Sequence, residues 1–208
     1  MSWRTATAAG VPARVMRISF SGEMSFEINV PSNAGKHVWN ALMEAGKEFD
    51  ITPYGTEAMH VLRAEKGYII VGQETDGSIS PYDLGMGGMV SKTKDFLGRR
   101  SLTRSDTAKA DRKQLVGLMT DEEKLVLPEG SQLTELSQAA PPPVPMIGHV
   151  TSSYFSPTLG RSIAMAVVRS GQQRMGQKIY AALADGRYVA ATVCSPVFYD
   201  PKGTRHHV

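Results

Sequence analysis

The sequence predicts an α+β region followed by a small antiparallel β-barrel, and three patterns support this fold class. Residues 15–30 alternate in hydrophobicity as the two strands of a hairpin do, and two helical patterns follow them. From residue 114 the pattern changes to six strand-length segments separated by turn signals. The polar stretch DTAKADRK separates these two sequence patterns. We therefore predict one domain at 1–112 and a barrel domain at 113–208.

The composition is typical of an ordinary globular protein. Of 208 residues, 41% are apolar and 21% charged, and the formal charge of +3 shows no basic cluster that would favour nucleic acid. The single cysteine, Cys194, excludes an intrachain disulfide and a multi-cysteine metal site, so no metal is expected. The sequence has neither a bilayer-length apolar stretch nor an export leader, so we expect a cytoplasmic protein without a membrane partner.

The first hairpin places a carboxylate at its tip. Its connection is Ser21-Gly22-Glu23-Met24, where Gly22 can adopt a positive φ and Glu23 projects away from the apolar faces. A solvated turn glutamate is the ordinary alternative to a functional one. The alternating residues are Met16, Ile18 and Phe20 before the turn and Phe26, Ile28 and Val30 after it.

Two amphipathic helices follow the hairpin. Residues 31–50 predict the first, with Ser32 or Asn33 as N-cap and Trp39 as a packing residue. Thr56 caps the second, which Gly67 ends in a left-handed conformation.

Arg63 lies on the second helix, and helical spacing places it on a different face from the apolar side chains. Its guanidinium is therefore a candidate ligand-binding group.

The middle of the chain is rich in turn formers. YIIVGQ, at 68–73, predicts a short buried strand, and KDFLGRRSLTRSD, at 94–106, predicts a short helix that carries Arg99 and Arg100. The three glycines between them lack the spacing of a dinucleotide fingerprint.

Six short segments after residue 113 are typical of a small barrel or sandwich. The strongest hairpin turn is Asp185-Gly186. The predicted strands are QLVGLMT, SQLTELS, MIGHVTSSYF, RSIAMAVV, KIYAALA and YVAATVC.

Two charged groups remain as functional candidates after the ordinary interpretations are removed. Cys194 fits a small buried apolar residue, and His60 and His149 fit structural histidines. The carboxylate of Glu23 suits a ligand with two adjacent N–H donors, whereas the guanidinium of Arg63 suits a ligand carboxylate. Folate carries both an aminopyrimidine ring and a carboxylate.

Several motifs resemble the folate-dependent aminomethyltransferases, the T-protein of the glycine cleavage system and its relatives. SFSGEMSFEI is similar to the T-G-E-x-G-(F/Y)-E-(I/V) hairpin of that family, and GTEAMHVLRAEKGY to its helix ending in L-R-L-E-A-G. Three further segments resemble motifs of that family and occur along the chain in the same order as they do there. They are GQETDGSISPYDLG, DFLGRRSL and GHVTSSYFSPTLGRSIAMAVV. The resemblance implies a partial aminomethyltransferase-type folate domain before the barrel.

The resemblance implies roles for three residues in binding tetrahydrofolate. Glu23 matches the glutamate that binds the pterin, Arg63 the arginine near the aminobenzoyl-glutamate portion, and Tyr199 lies in the terminal segment where an aromatic ring approaches the folate. Catalytic residues stay unassigned. Ser25 stands where the family has glycine, and Gly87-Gly88-Met89 replaces a tryptophan-bearing strand, so the pocket wall is expected to differ.

Within the family, ITPYGTEAMHVLRAEKGYIIVGQETDG and SPVFYDPKG look most like the carboxy-terminal folate region of the alpha subunit of heterotetrameric sarcosine oxidase. This implies other subunits as partners and capture of the one-carbon unit of oxidised sarcosine as 5,10-methylene-tetrahydrofolate. FAD, FMN and NAD would be bound by partner subunits or by parts of the subunit absent from this sequence.

The sequence lacks the family's amino-terminal half, so the isolated chain is expected to be inactive. The alternatives are a fragment of a glycine-cleavage-type aminomethyltransferase and a non-catalytic folate-binding or assembly module.

Overall fold

The computed structural model describes residues 1–207 and divides into two compact units. One comprises Met1–Arg63 with Lys202–Val208, and the other comprises Ala64–Pro201. An antiparallel sheet with helices precedes a closed six-stranded barrel, which confirms the predicted α+β and β-barrel fold class. The contact-based units place 64–112 with the barrel, and the domain boundary after residue 112 stays a prediction.

The first unit is built on a three-stranded antiparallel sheet with the strand order β1-β2-β3. Ala13 of the sheet and Val38 of the following helix are its buried apolar side chains. The elements are β1 (Ser2–Ala8), β2 (Val11–Arg17), β3 (Phe26–Asn29), α1 (Gly35–Ala45) and α2 (Thr56–Glu65), the last of which continues into the second unit.

The hairpin of β2 and β3 is confirmed, but its connection is longer than predicted. β2 ends at Arg17, which pairs with Phe26, so 18–25 form an eight-residue loop and the predicted alternation through Phe20 is wrong. The sequence analysis also missed β1, which pairs with β2 along its whole length. Its turn, Ala9-Gly10, has positive φ angles of 50° and 80° at its two residues, a backbone that suits tight hairpins.

Both predicted helices form, with differences at their ends. A short 3₁₀ turn at Ser32–Ala34 precedes α1. No side-chain cap bonds to the N-terminus of this turn or of α1, so the predicted cap at Ser32 or Asn33 is wrong. Trp39 is 56% exposed and is not a core residue. Gly67, two residues after the end of α2, adopts the predicted left-handed conformation, with φ of 68°.

The prediction that Arg63 lies away from the buried side is wrong. Arg63, Ala64 and Glu65 are all buried, so burial in α2 depends on position along the helix rather than on its face. Ala64, the first residue of the second unit, packs against Leu115 and Ile163 on the outside of the barrel.

The second unit contains the barrel, and all six predicted strands are present. Alternate side chains fill its interior, among them Val116, Leu118, Val150 and Val168. The strand order is β4-β7-β6-β5-β8-β9, with β4 (Lys113–Thr120), β5 (Gln132–Thr134), β6 (Gly148–Ser156), β7 (Arg161–Arg169), β8 (Lys178–Ala182) and β9 (Tyr188–Cys194).

The turn between β8 and β9 forms where it was predicted. Gly186 has φ of 85°, and the Leu183 amide donates to the Arg187 carbonyl at 2.9 Å.

The segment before β4 has little regular structure. The predicted strand at 68–73 is wrong, because this stretch forms turns in which Val71 is 85% exposed. The predicted helix at 94–106 is reduced to a 3₁₀ helix at Arg99–Thr103. No helix in residues 1–207 is both long and apolar enough to cross a membrane.

We expect Gly148→Ala to destabilise the barrel. A Cβ at this position would lie 2.1 Å from the Val167 carbonyl oxygen, and backbone of the paired strand cannot move aside without breaking the ladder. Overpacking of this kind typically costs about 1–3 kcal/mol. Thermal unfolding followed by circular dichroism measures the loss of stability. Gly88→Ala, where a Cβ meets nothing within 4 Å, is the control, and equal melting temperatures would contradict this prediction.

Candidate functional site

Glu23 lies in the loop between β2 and β3, where a local turn holds its backbone. Gly22 has φ of 86° and its amide donates to the Ser19 hydroxyl at 2.9 Å, while the Ser25 hydroxyl donates to the Glu23 carbonyl at 3.3 Å. The Glu23 side chain is 43% exposed, so its carboxylate can be reached from solvent.

The carboxylate of Glu23 already has a cationic partner. The guanidinium of Arg205 donates from Nε to Oε1 of Glu23, and within residues 1–207 no hydrogen bond reaches Oε2. Arg205 belongs to a 3₁₀ helix at Thr204–His207, whose His206 carbonyl accepts from Arg17 at 2.6 Å. A ligand with two parallel N–H donors would therefore replace Arg205 at one oxygen of Glu23.

A depression of about 650 Å³ opens beside this loop, on the sheet of the first unit. It combines two aromatic rings with two guanidinium groups, a lining that suits a flat, negatively charged molecule. Its walls are Ser2, Trp3, Arg4, Val15, Arg17, Met24 and Phe26.

The sequence analysis did not predict these wall residues as site residues. The available signal was the pair Trp3-Arg4 in β1, together with Arg17 at the end of β2 and Phe26 at the start of β3.

Arg63 is fully buried at the last turn of α2. A buried guanidinium is stable only when its N–H groups are paired, so Arg63 contributes to packing as well as to any ligand contact. A ligand could reach it only if neighbouring groups moved. Glu23 and Arg63 belong to the same unit, but Glu23 is accessible and Arg63 is not.

Tyr199 lies in the second unit, on the segment that follows the barrel. Its amide and that of Phe198 both donate to the Glu65 carbonyl at 2.9 Å. The carboxylate of Glu65 in turn accepts from the hydroxyls of Ser156 at 2.6 Å and Thr158 at 3.2 Å. The end of α2, the β6–β7 turn and the segment carrying Tyr199 are thus joined through one buried glutamate.

A second buried glutamate attaches the turn region to the barrel. Glu74 accepts from the Ile70 amide at 2.7 Å and from the Ser152 hydroxyl. Ser152 lies where the pairing of β6 with β7 shifts by one residue, so the hydroxyl is presented at a bulge.

The most strongly bonded ion pair of this unit joins Asp83 to Arg112. Nε and Nη2 of Arg112 lie 3.0 and 2.8 Å from Oδ2 of Asp83, and the Ser80 amide lies 2.7 Å from the same oxygen. Burial raises the pKa of Asp83, but the bonds from Arg112 and Ser80 outweigh it, and the pKa lies below its ordinary value. Asp83 is therefore an ionised carboxylate whose role is to hold Arg112 and the Ser80 amide in place.

Neither a metal centre nor a reactive thiol is evident in the described part of the chain. No group of three or more histidine, cysteine, aspartate or glutamate side chains there could hold a metal ion. Burial raises the pKa of the Cys194 thiol to about 11, despite the opposing charge of Arg161. Cys194 is accordingly a neutral thiol at physiological pH, in agreement with its predicted role as a packing residue.

The family models match consecutive parts of the chain. The model described as GCVT N-terminal domain matches residues 1–94, and that described as Glycine cleavage T-protein C-terminal barrel domain matches residues 113–200. The chain belongs to the glycine cleavage T-protein family, as its motifs indicated.

Within that family, the chain is similar to sarcosine oxidase subunit alpha of Corynebacterium sp. (strain U-96), with 48% identity over 95% of this chain and 20% of the relative. The sarcosine oxidase subunit alpha of Rhizobium meliloti (strain 1021) is 42% identical over 93% of this chain and 20% of the relative.

Aminomethyltransferases are also similar to this chain. That of Thermotoga petrophila is 34% identical over 95% of this chain and 51% of its own length. A crystal structure of glycine cleavage system aminomethyltransferase T from Bartonella henselae has the same fold, with a TM-score of 0.77 at 23% identity, over 91% of this chain and 50% of that one. The chain thus spans about a fifth of the matched sarcosine oxidase subunits and about half of these aminomethyltransferases.

We expect Asp83→Asn to destabilise the second unit at neutral pH. Removing Asp83 leaves Arg112 with Asp106, whose side chain is 74% exposed, in place of a buried carboxylate, and this loss costs about 2–4 kcal/mol. The folded-state pKa of Asp83 is lowered, so the wild-type advantage is present above the unfolded pKa of about 4 and is lost as pH falls through the lower folded value. Chemical denaturation at several pH values measures the difference.

The matched control for this variant is Asp185→Asn, which removes an exposed pair with Arg187. It should change the free energy of unfolding by less than about 1 kcal/mol. An Asp83→Asn protein as stable as this control at neutral pH would show that the pair is not a structural anchor.

We expect Cys194 to react slowly with the thiol reagent DTNB in the native protein. With a pKa of about 11, roughly one thiol in a thousand is ionised at pH 8. Unfolding returns the pKa to about 8.5, so labelling should accelerate on the order of a hundredfold in guanidinium chloride. Absorbance of the released thiolate gives both rates, and equal rates would refute the burial argument.

Proposed function

We propose that this chain is the tetrahydrofolate-binding portion of a sarcosine oxidase alpha-type subunit. The observation that carries this proposal is the identity of 48% to such a subunit across 95% of the chain. In the assembled enzyme it would take part in capturing the one-carbon unit of oxidised sarcosine as 5,10-methylene-tetrahydrofolate. The other subunits of that enzyme would be its partners, and the cytoplasm its compartment.

The loop that carries Glu23 supplies the group that would hold the pterin. A carboxylate accepts two parallel N–H bonds from an aminopyrimidine, and charge-assisted bonds of this kind contribute about 1.5–3 kcal/mol each. Glu23 has the accessibility that this role requires, and its Oε1 is occupied by the exchangeable partner Arg205. The ion pair with Arg205 would stand in for the pterin donors while the site is empty.

The depression beside Glu23 supports the same role. Trp3 and Phe26 offer apolar surfaces for a flat ring system, while Arg4 and Arg17 offer cations for the glutamate end of a folate. The cavity of about 650 Å³ lies within the range of small-molecule sites, about 300–1,000 Å³. In this proposal Arg63 and Tyr199 keep their predicted roles, Arg63 after local rearrangement because it is buried.

The competing proposal is a non-catalytic module that binds folate or supports assembly. It is favoured by the fraction of its relatives that the chain spans, about a fifth of the oxidase subunits and about half of the aminomethyltransferases. The two proposals differ in one measurable respect. Formation of methylene-tetrahydrofolate from formaldehyde and tetrahydrofolate, above the uncatalysed rate, would exclude the non-catalytic module, whereas binding without acceleration would support it.

A fragment of a glycine-cleavage-type aminomethyltransferase is the alternative within the enzyme class. The identity to the Thermotoga petrophila aminomethyltransferase is 34%, against 48% for the oxidase subunit over the same share of this chain. That difference favours the oxidase.

We expect Glu23→Gln to weaken the binding of tetrahydrofolate at least tenfold. The amide keeps the shape of the side chain but replaces one acceptor oxygen with a donor and removes the charge, which lowers the strength of both bonds to the pterin. Isothermal titration calorimetry measures the dissociation constant, and a tenfold change corresponds to about 1.4 kcal/mol.

Glu27→Gln is the control for this substitution, because Glu27 is exposed on the adjacent strand β3. A Trp39→Phe background leaves Trp3 as the one tryptophan of the chain, so its fluorescence reports on the depression directly. If Glu23→Gln and Glu27→Gln bind tetrahydrofolate equally well, Glu23 does not hold the pterin.

A further inference from the structure

A second cavity, of about 210 Å³, lies on the outside of the barrel within the second unit. It is smaller than the roughly 300 Å³ typical of sites for drug-sized molecules, and therefore suits a small metabolite. None of Glu23, Arg63 and Tyr199 lines it.

The floor of this cavity is formed by barrel strands, which fixes the directions of two polar side chains. Val168 points into the barrel interior, so the neighbouring positions of β7 point outward. His149 on β6 pairs with Val167 and Lys113 on β4 pairs with Arg169, and both therefore project from the outer face. Val167 lies in the cavity floor with them.

The turn that carries Asp76 forms the opposite wall. Oδ1 of Asp76 accepts from the Ser78 amide at 2.9 Å and from the Ser78 hydroxyl at 2.6 Å. No hydrogen bond to Oδ2 occurs within residues 1–207. The two bonds fix the orientation of the carboxylate and leave one oxygen for a ligand.

Three polar groups of the cavity lack a partner in the part of the chain that the structure describes. They are the imidazole of His149, the ammonium of Lys113 and Oδ2 of Asp76. The remaining charged walls are occupied: Arg112 by Asp83 and Asp106, and Glu74 by Ile70 and Ser152. A ligand in this cavity would therefore meet one cation, one anion and one imidazole.

The surroundings of Asp76 and His149 shift the pKa of each group. Bonds from the Ser78 hydroxyl and amide lower the pKa of Asp76. Burial lowers the pKa of His149, and Lys113 lowers it further, while Asp76 opposes both. At neutral pH Asp76 is thus a carboxylate and His149 a neutral imidazole, and both line the cavity together with Lys113.

We propose that this cavity binds a small zwitterion of the amino-acid type, with its carboxylate held by Lys113 and His149 and its ammonium held by Asp76. The neutral imidazole donates one N–H to the carboxylate, and the apolar floor at Val167 accommodates a short aliphatic group. A simple anion would gain only the Lys113 and His149 contacts and would bring a second negative charge towards Asp76. A simple cation would lose the Lys113 contact and meet its repulsion.

Three probes of matched size test this proposal: L-alanine, propionate and ethylamine, which share a short carbon skeleton and differ in their charged groups. Ring resonances of His149 in proton–carbon NMR spectra report binding. A His149→Gln variant identifies them among the five histidines of the chain. We expect L-alanine to shift these resonances saturably, and propionate and ethylamine to bind at least tenfold more weakly.

Variants separate the two ends of the ligand. Lys113→Gln and Asp76→Asn should each weaken L-alanine binding at least tenfold, whereas Lys92→Gln and Asp95→Asn, at exposed positions outside the cavity, should not change it. Unchanged chemical-shift dispersion confirms that each variant is folded.

Three results would overturn the proposal. They are the absence of a saturable shift with L-alanine, binding of propionate as tight as that of L-alanine, and equal effects of the cavity and control variants. The second result would identify the cavity as a simple anion site.

Discussion

The attachment of an irregular segment to the outside of a barrel by buried carboxylates is the constraint on which the second unit depends. Residues 66–112 contain turns, short 3₁₀ helices and one isolated bridge between Val71 and Thr75, so no strand ladder joins them to the barrel. Glu65, directly before this segment, and Glu74 within it bond to hydroxyls of β6 and its turn, and Asp83 bonds to Arg112, the residue that directly precedes β4. Each of these carboxylates is nearly inaccessible to solvent, so each bond is costly to break without a replacement. The Leu115 amide adds a backbone link by donating to the Asp83 carbonyl at 2.8 Å.

The same attachments explain which parts of the fold could be predicted from sequence. The barrel strands were predictable because a closed barrel buries alternate side chains, as in β4 and β7, and separates its strands with turns such as Asp185-Gly186. The apolar run at 68–73 has the composition of a strand, but its neighbour Glu74 bonds back to the Ile70 amide and folds the run into a turn. A local pattern cannot show that bond, because it depends on the serine of β6 that anchors Glu74 from the other side.

The sequence predicted which residue types form the candidate folate site, but it did not predict their partners or their burial. Glu23 stands on an accessible loop as the hairpin pattern indicated, but its partner Arg205 is 182 positions away and no spacing rule connects the two. Arg63 was predicted to face a ligand because helical spacing shows only which residues share a face of one helix. It does not show which other parts of the chain pack around that helix. Periodicity within α2 cannot show that the side chain of Arg63 is fully buried in the folded chain. The cavity that holds His149 and Lys113 was missed for a similar reason, since two strands and a distant turn build it.

The three-stranded sheet of the first unit has one further property. Within residues 1–207, β1 pairs on one side only, so the other side of a seven-residue strand offers its amides and carbonyls to solvent. Of the charged residues and prolines that commonly protect such edges, the strand contains only Arg4, and Trp3 on it is largely exposed. Backbone groups in this arrangement accept a strand from any neighbouring polypeptide regardless of its side chains. Self-association through β1 should therefore increase with protein concentration. Solubility, rather than thermal stability, would then limit the concentration at which this polypeptide can be kept alone.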